Sequence, residues 1–288
     1  MAAKKKFKFA IFLPRFEQIE YWKSQITGVR KAEEEFSKFG IELVYFYYDF
    51  NVFSFKESVE KVLEFDCDGL LFAPIFHLES ISFLDRYIEK KIPVVMIDSD
   101  IQNDIPHLYI GQDAFKSGYL AGRLTSFAVK EQREVLIVKI TREIESTSVY
   151  LQRIKGFYAY FEENPLLNNF KFTELTIKES DIDKLDVSQF ANTSSIFIPN
   201  SRAYMVARFL EEHNVKGVRV IGYDLLEENI KYLNSGSIDF LINQKPEEQG
   251  YQAIQYLYKK VILHEEFASN IIIPLEIIVK ENYITPNK

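Results

Sequence analysis

Apolar runs and stretches of helical spacing alternate along almost the whole chain. Phe7 to Leu13 is a continuous apolar run. It is followed by Ile19 to Phe39, where Trp22, Ile26, Val29, Ala32 and Phe36 recur at helical intervals before Gly40, a residue suited to ending a helix. Ile41 to Tyr48, Gly69 to Ala73 and Pro93 to Ile97 read as strands, separated by helices over Ser54 to Phe65 and Glu79 to Lys90. The rhythm pauses across the polar stretch Ser99 to Pro106 and then resumes. Helices are predicted over Ala114 to Val129, Val149 to Glu163, Ser201 to His213, Leu225 to Asn234 and Pro246 to Leu263. Strands are predicted over Glu134 to Ile140, Lys171 to Ile177, Ser195 to Ile198, Val218 to Gly222, Ile238 to Ile242 and Ile271 to Val279. Repeated βαβ order implies parallel sheets with right-handed crossovers. Two consecutive α/β units of similar size follow, with Ser99 to Pro106 as a candidate passage between them.

Polar side chains at strand ends are the first functional signal. Val220-Ile-Gly-Tyr-Asp224 and Ile242-Asn-Gln244 each read as a buried strand that stops on a polar group. Open α/β sheets bind ligands outside the carboxyl ends of their strands, so Asp224 and Gln244 are candidate walls of a binding crevice. Asp224 has a second reading as the N-cap of the helix beginning at Leu225, because Asp caps well and Glu227 and Glu228 suit a first turn.

Composition narrows the classes. With 288 residues, 47% hydrophobic and 27% charged, the chain is globular and long enough to bury a large core. Its 42 acidic and 35 basic residues give a net charge of -7, which argues against a large nucleic-acid-binding surface. Lys4, Lys5, Lys6 and Lys8 read as a solvated start. Cys67 is the sole cysteine; it forms no intramolecular disulfide and reads as a small buried hydrophobe. The run Phe9 to Leu13 is too short for a signal-peptide core, no stretch suggests a membrane span, and a cytoplasmic location is expected.

Enzyme chemistry finds little support. There is no Gly-x-Ser-x-Gly elbow, no phosphate loop ending in Gly-Lys-Ser/Thr and no Gly-x-Gly-x-x-Gly turn. His77, His107, His213 and His264 lack metal-ligand spacing, so neither a metal nor another cofactor is expected.

A series of short motifs carries a resemblance. Tyr21-Trp22 is followed by Gly28; then come Val95-Met-Ile-Asp98, Gly111-Gln-Asp-Ala-Phe-Lys-Ser-Gly118 with Gly122, and Arg153-Ile-Lys-Gly156-Phe157. Ile198-Pro-Asn200, the two strand ends and Glu248-Gln-Gly-Tyr251 complete it. In this order and spacing, from Phe7 to the C-terminus, the chain resembles the periplasmic-binding-protein type I fold. It is most similar to the effector-binding core of LacI-family transcription regulators.

The resemblance implies two Rossmann-like lobes with parallel sheets, joined by three crossovers. The N-terminal lobe is expected over 7–110 plus 245–268 and the C-terminal lobe over 111–244 plus 269–288. A small ligand, usually a sugar, is implied between them, touched by Asp98, Arg153, Asn200, Asp224 and Gln244. Carboxylates accept hydroxyl protons, Arg153 donates in a fixed fork, and the two amides do both. Tyr21 or Trp22 would stack on a sugar ring, although Trp22 shares helical spacing with Ile26 and Val29 and one of the pair is expected in the core. Phe76, His77 and Ser99 are further candidates to face the ligand. Glu162 and Glu163 lie nine and ten residues beyond Arg153, too far for helix pairing.

Regulators of this family carry an N-terminal helix-turn-helix, whereas here the first strand begins at Phe7. The expectation is therefore an effector-binding domain lacking that head. It would be a homodimer that meets DNA only through a helix-turn-helix absent from this chain and that does not engage a membrane. The alternative is a periplasmic sugar-binding protein of an ABC transporter or chemotaxis system. Ser99 stands where some sugar receptors carry a basic residue, and Glu143-Ile-Glu145 adds negative charge, so a neutral sugar is expected over an anionic one.

Overall fold

The structure is a computed structural model that describes residues 6–16, 20–101, 106–127, 134–141, 148–167, 169–266 and 270–283. Lys4, Lys5, residues 102–105 of the expected passage and Glu143 to Glu145 lie outside the described residues. In chain order the first elements are β1 (Phe7–Pro14), α1 (Glu20–Phe36), β2 (Ile41–Tyr48), α2 (Val52–Glu64), β3 (Gly69–Phe72), α3 (His77–Tyr87), β4 (Val94–Ile97) and β5 (Leu108–Gly111). There follow α4 (Ala114–Phe127), β6 (Glu134–Thr141), α5 (Ser148–Glu162), β7 (Lys171–Lys178), β8 (Thr193–Phe197), α6 (Ala203–Glu212), β9 (Arg219–Tyr223) and α7 (Glu227–Ser235). The last are β10 (Phe240–Asn243), α8 (Pro246–Val261), β11 (Ile271–Ile272) and β12 (Glu276–Ile278).

The chain divides into two compact units. The first is Met1–Gln112, Ser146–Ser148 and Lys245–Ile273; the second is Asp113–Glu145, Val149–Gln244 and Pro274–Lys288. The sheet of the first unit runs β11-β5-β4-β3-β1-β2, and that of the second β12-β10-β9-β8-β6-β7. Both therefore share one strand order, second-first-third-fourth-fifth, with an added edge strand. The pairings are parallel except that of β10 with β12.

Buried strands explain the apolar runs. The third to eighth residues of β1 and all of β3, β4 and β5 are buried, as expected of parallel strands covered on both faces. In the first unit Phe12 stacks on Phe55 and Phe72 at 5.3 Å, and Tyr48 and Phe83 meet it edge-on. Phe157 and Phe197 stack at 4.6 Å in the second. Local signals set the helix ends: Asn51 Oδ1 accepts from Ser54 N at the start of α2, and Pro246 opens α8.

Three expectations need correction. Ser99 to Pro106 is not a passage between the units: it lies within Met1–Gln112, between β4 and β5 of one sheet, and the first division falls after Gln112 rather than 110. Leu108–Gly111 is a strand, missed because four residues carry no readable period. Ile271 to Val279 is not one strand. Pro274 interrupts it, β11 pairs with β5 in the first unit and β12 with β10 in the second, and so the division falls after Ile273 rather than 268.

The two units also repeat a helix pair. In the first unit α1 packs on α8 so closely that a Cβ at Gly250 would lie 2.2 Å from the Gln25 carbonyl oxygen. In the second α5 packs on α4, and a Cβ at Gly118 would lie 1.8 Å from the Arg153 carbonyl oxygen. Gln25 and Arg153 each precede a glycine, Gly28 and Gly156, by three residues. Tyr251 donates to Glu35 at 2.6 Å, and Tyr119, equally placed after Gly118, donates to Glu163 at 3.0 Å.

Candidate functional site

Each unit ends its fourth strand on an aspartate in the left-handed region. Asp98 follows β4 and Asp224 follows β9, both with φ of 68°. A side chain disfavours this conformation, and Asp is among the residues that tolerate it best. The surrounding bonds hold it in place.

In the first unit Tyr21, on the first turn of α1, donates to Asp98 Oδ1 at 2.6 Å. Gln249 on α8 accepts the Asp98 backbone N–H at 3.1 Å. Tyr109 Oη lies 3.2 Å from the Asp98 carbonyl oxygen. Ser99 is buried, with its hydroxyl 3.4 Å from Asp98 Oδ2. Trp22 is buried edge-on against Tyr21 at 5.3 Å. Phe76 packs on Phe55 at 5.5 Å and on Tyr48, while His77 is exposed at the start of α3. Phe76 is thus buried in the same aromatic cluster as Phe55 and Tyr48.

In the second unit Arg153 is 4% exposed. Its Nη1 donates to the Pro199 carbonyl at 2.9 Å, its Nη2 to Gln244 Oε1, and its guanidinium lies 3.9 Å from the Tyr223 ring centroid. Its Nε has no hydrogen-bond partner among the described residues. Gln244 Nε2 in turn donates to Asp224 Oδ2 at 2.7 Å. Burial pushes the Tyr223 phenol up, opposed by the Arg153 charge. Asn200 spends its amide locally, donating to Ile140 O at 2.8 Å and accepting from Arg202 N at 3.1 Å.

The capping reading of Asp224 falls. Leu226, not Asp224, occupies the N-cap of α7, and its side chain makes no capping bond. Asn229 of α7 instead places its Nδ2 within 3.0 Å of the Ser201, Tyr223 and Asp224 carbonyls, and accepts from Tyr204 N. Arg153 likewise donates to Pro199 and Gln244 rather than to Glu162 or Glu163.

Sequence reasoning missed Gln25, Tyr109 and Asn229, and it met Gln249 only as part of a motif. Gln25 left one signal: it is a polar residue one position from Ile26 on the apolar stripe of α1, and it is fully buried.

Two carboxylates that already receive fixed donors can accept further hydrogen bonds from hydroxyls, and a buried guanidinium with a spare N–H can donate one. A separate groove of about 480 Å³ lies at the amino ends of β4 and β5, lined largely by apolar residues including Leu84, Val94, Leu108 and Leu257. Such a lining offers a polyol few partners, and it sits at the opposite end of β4 from Asp98. Among the described residues no cluster of His, Cys, Asp and Glu could hold a metal ion, and no helix is long and apolar enough to cross a membrane.

Two α/β units of the same strand order, each with polar groups at the strand ends, constitute the periplasmic-binding-protein type I fold. The chain belongs to the periplasmic binding protein domain family, whose pattern matches residues 9–265. It is similar to a candidate LacI transcriptional regulator from Bacteroides fragilis, with 30% identity and a TM-score of 0.89 over 96% of this chain and 98% of that one. An ABC transporter solute-binding protein from Burkholderia graminis, in complex with D-arabinose, shares the fold over 100% of both chains, with a TM-score of 0.85 at 20% identity. The xylose/arabinose-binding protein XylF of Sulfolobus acidocaldarius is 25% identical over 189 residues, or 62% of this chain. The match spans less than half of that relative, 45% of its length.

Proposed function

We propose that this chain binds a neutral sugar through the strand-end residues of both units, as the effector-binding part of a LacI-family transcription regulator. One observation carries the sugar reading. Each unit presents a left-handed aspartate whose carboxylate already receives a donor, Tyr21 in one case and Gln244 in the other. Such carboxylates suit sugar hydroxyls, and each charge-assisted bond contributes about 1.5–3 kcal/mol. The similarity to the Bacteroides fragilis protein supports the regulatory half. In this reading the chain is a cytoplasmic homodimer, DNA is met by a helix-turn-helix outside this sequence, and no bond-making step is assigned to the site. The alternative, sugar delivery to an ABC transporter, is favoured by the fold shared with the D-arabinose-bound protein.

Calorimetric titration with D-xylose, D-arabinose, L-arabinose, D-ribose, D-glucose and D-galactose tests the sugar half. Asp98→Ala and Asp224→Ala should each abolish the heat of binding with unchanged circular dichroism. Full binding by both variants removes the assignment. Osmotic-shock fractionation of the source cells separates the two roles, and recovery of the protein in the periplasmic fraction overturns the regulator.

A further inference from the structure

Four side chains fix one another's polarity in the first unit. The Asp98 N–H points at Gln249 Oε1 over 3.1 Å, which identifies that atom as the oxygen. The Gln25 atom 3.5 Å from the same oxygen is then its amide nitrogen, and this nitrogen lies 3.2 Å from Tyr21 Oη. Because its oxygen accepts from Gln25, Tyr21 sends its single proton to Asp98 Oδ1 at 2.6 Å. The ring begins and ends on Asp98, and turning either amide over brings like groups face to face.

Gln25 is 0% exposed, and its Oε1 has no hydrogen-bond partner among the described residues. Its donor is therefore what it contributes. Arg153, at the counterpart position of the repeated helix pair, does the same in the second unit. An arginine only donates, so Gln244 turns Oε1 toward it and Nε2 toward Asp224.

We propose that Gln25 is a positioning residue for sugar binding. It sets the direction of the Tyr21 hydroxyl and so holds the Asp98 carboxylate in one orientation, as an acceptor, before a ligand arrives. This favours a ligand that brings a hydroxyl proton over one that brings only an acceptor, such as a methyl ether at the same ring position. The inference rests on the reading that Asp98 meets the sugar.

The test is a double-mutant cycle with whichever sugar of the panel binds the wild type. Gln25→Met should weaken binding about three- to tenfold, the size expected for one neutral hydrogen bond, and Tyr21→Phe at least as much, because the bond it removes ends on a carboxylate. In the Tyr21→Phe background Gln25→Met should add nothing, because its partner is gone. Additive losses overturn the inference while leaving the sugar reading intact; a wild type that binds none of the sugars overturns the reading itself. A ligand-free measurement stands apart from both. In protein labelled with tyrosine at 13Cζ, the Tyr21 hydroxyl proton should exchange slowly with water and show a nuclear Overhauser effect to the Gln25 amide protons. Rapid exchange without that effect refutes the assigned polarity even where Gln25→Met does not fold.

Discussion

Gly118→Ala tests the packing that places Arg153. The added Cβ would stand 1.8 Å from the Arg153 carbonyl oxygen, 2.6 Å from its carbonyl carbon and 2.7 Å from its Cα, whereas ordinary contact begins at 3.4 Å. Every one of these atoms is backbone, so no rotamer change relieves the overlap, and α4 and α5 must part by about 1.6 Å. Overpacking of this kind costs about 3 kcal/mol, which at about 2–4 °C per kcal/mol lowers the melting temperature by about 6–12 °C. Gly217→Ala is the control. There φ is 75° and no described residue lies within 4 Å of the new methyl, so only the conformational penalty of about 1 kcal/mol remains. Urea and thermal denaturation followed by far-UV circular dichroism measure both variants. Since the displaced carbonyl belongs to Arg153, sugar affinity should fall with Gly118→Ala and hold with Gly217→Ala. If Gly118→Ala costs no more than Gly217→Ala, the close helix packing is wrong.

Three further outcomes follow from particular side chains. Arg153→Met removes a buried cation that meets a carbonyl, an amide oxygen and the Tyr223 ring. Removing both hydrogen bonds and the cation–π interaction costs about 4 kcal/mol, against a recovered desolvation penalty of several kcal/mol. Stability should therefore change by less than about 2 kcal/mol while sugar binding drops by an order of magnitude or more; a large stability loss with intact binding contradicts this. Burial raises the Asp239 carboxyl above its ordinary 3.8, and the Val220 N–H and Arg219 oppose the shift. The folded state thus holds this proton more tightly than the unfolded state. Its contribution is full below pH 3.8 and is lost as pH rises through the folded value. The stability difference between wild type and Asp239→Asn should shrink or reverse over that window, and a pH-independent difference refutes the shift. Burial also pushes the Cys67 thiol up, and Tyr87 Oη lies 3.2 Å from its sulfur. Ellman's reagent at about pH 8 should label Cys67 only as the protein opens, so complete labelling within seconds in native buffer counts against its burial.

The strand and helix series was legible because burial on both faces writes continuous apolar runs and a packed helix writes a periodic stripe. The strand-end residues Asp224 and Gln244 were legible for a related reason: a strand that leaves the core changes polarity at a definite residue, whereas Asp98 was singled out only through the family resemblance. Leu108–Gly111 was not, since four residues are too few to show a period. Nor was the division of the last segment. Pro274 hinted at a break, but only the neighbours of β11 and β12 assign them to different sheets.

The sequence by itself determined the alternation of strands and helices and the polar residues that close two of the strands, because each of these depends on local pattern and burial; the division into units came from the sheet neighbours. Tertiary structure decided what those residues meet. Tyr21 reaches Asp98 across 77 positions, Gln249 reaches it across 151, and Arg153 reaches Gln244 across 91. Spacing along one element encodes only neighbours three or four residues away on a helix or two on a strand. Partners drawn from α1, α5 and α8 become neighbours only when those helices pack, and the closeness of that packing depends on glycines that leave room for a carbonyl.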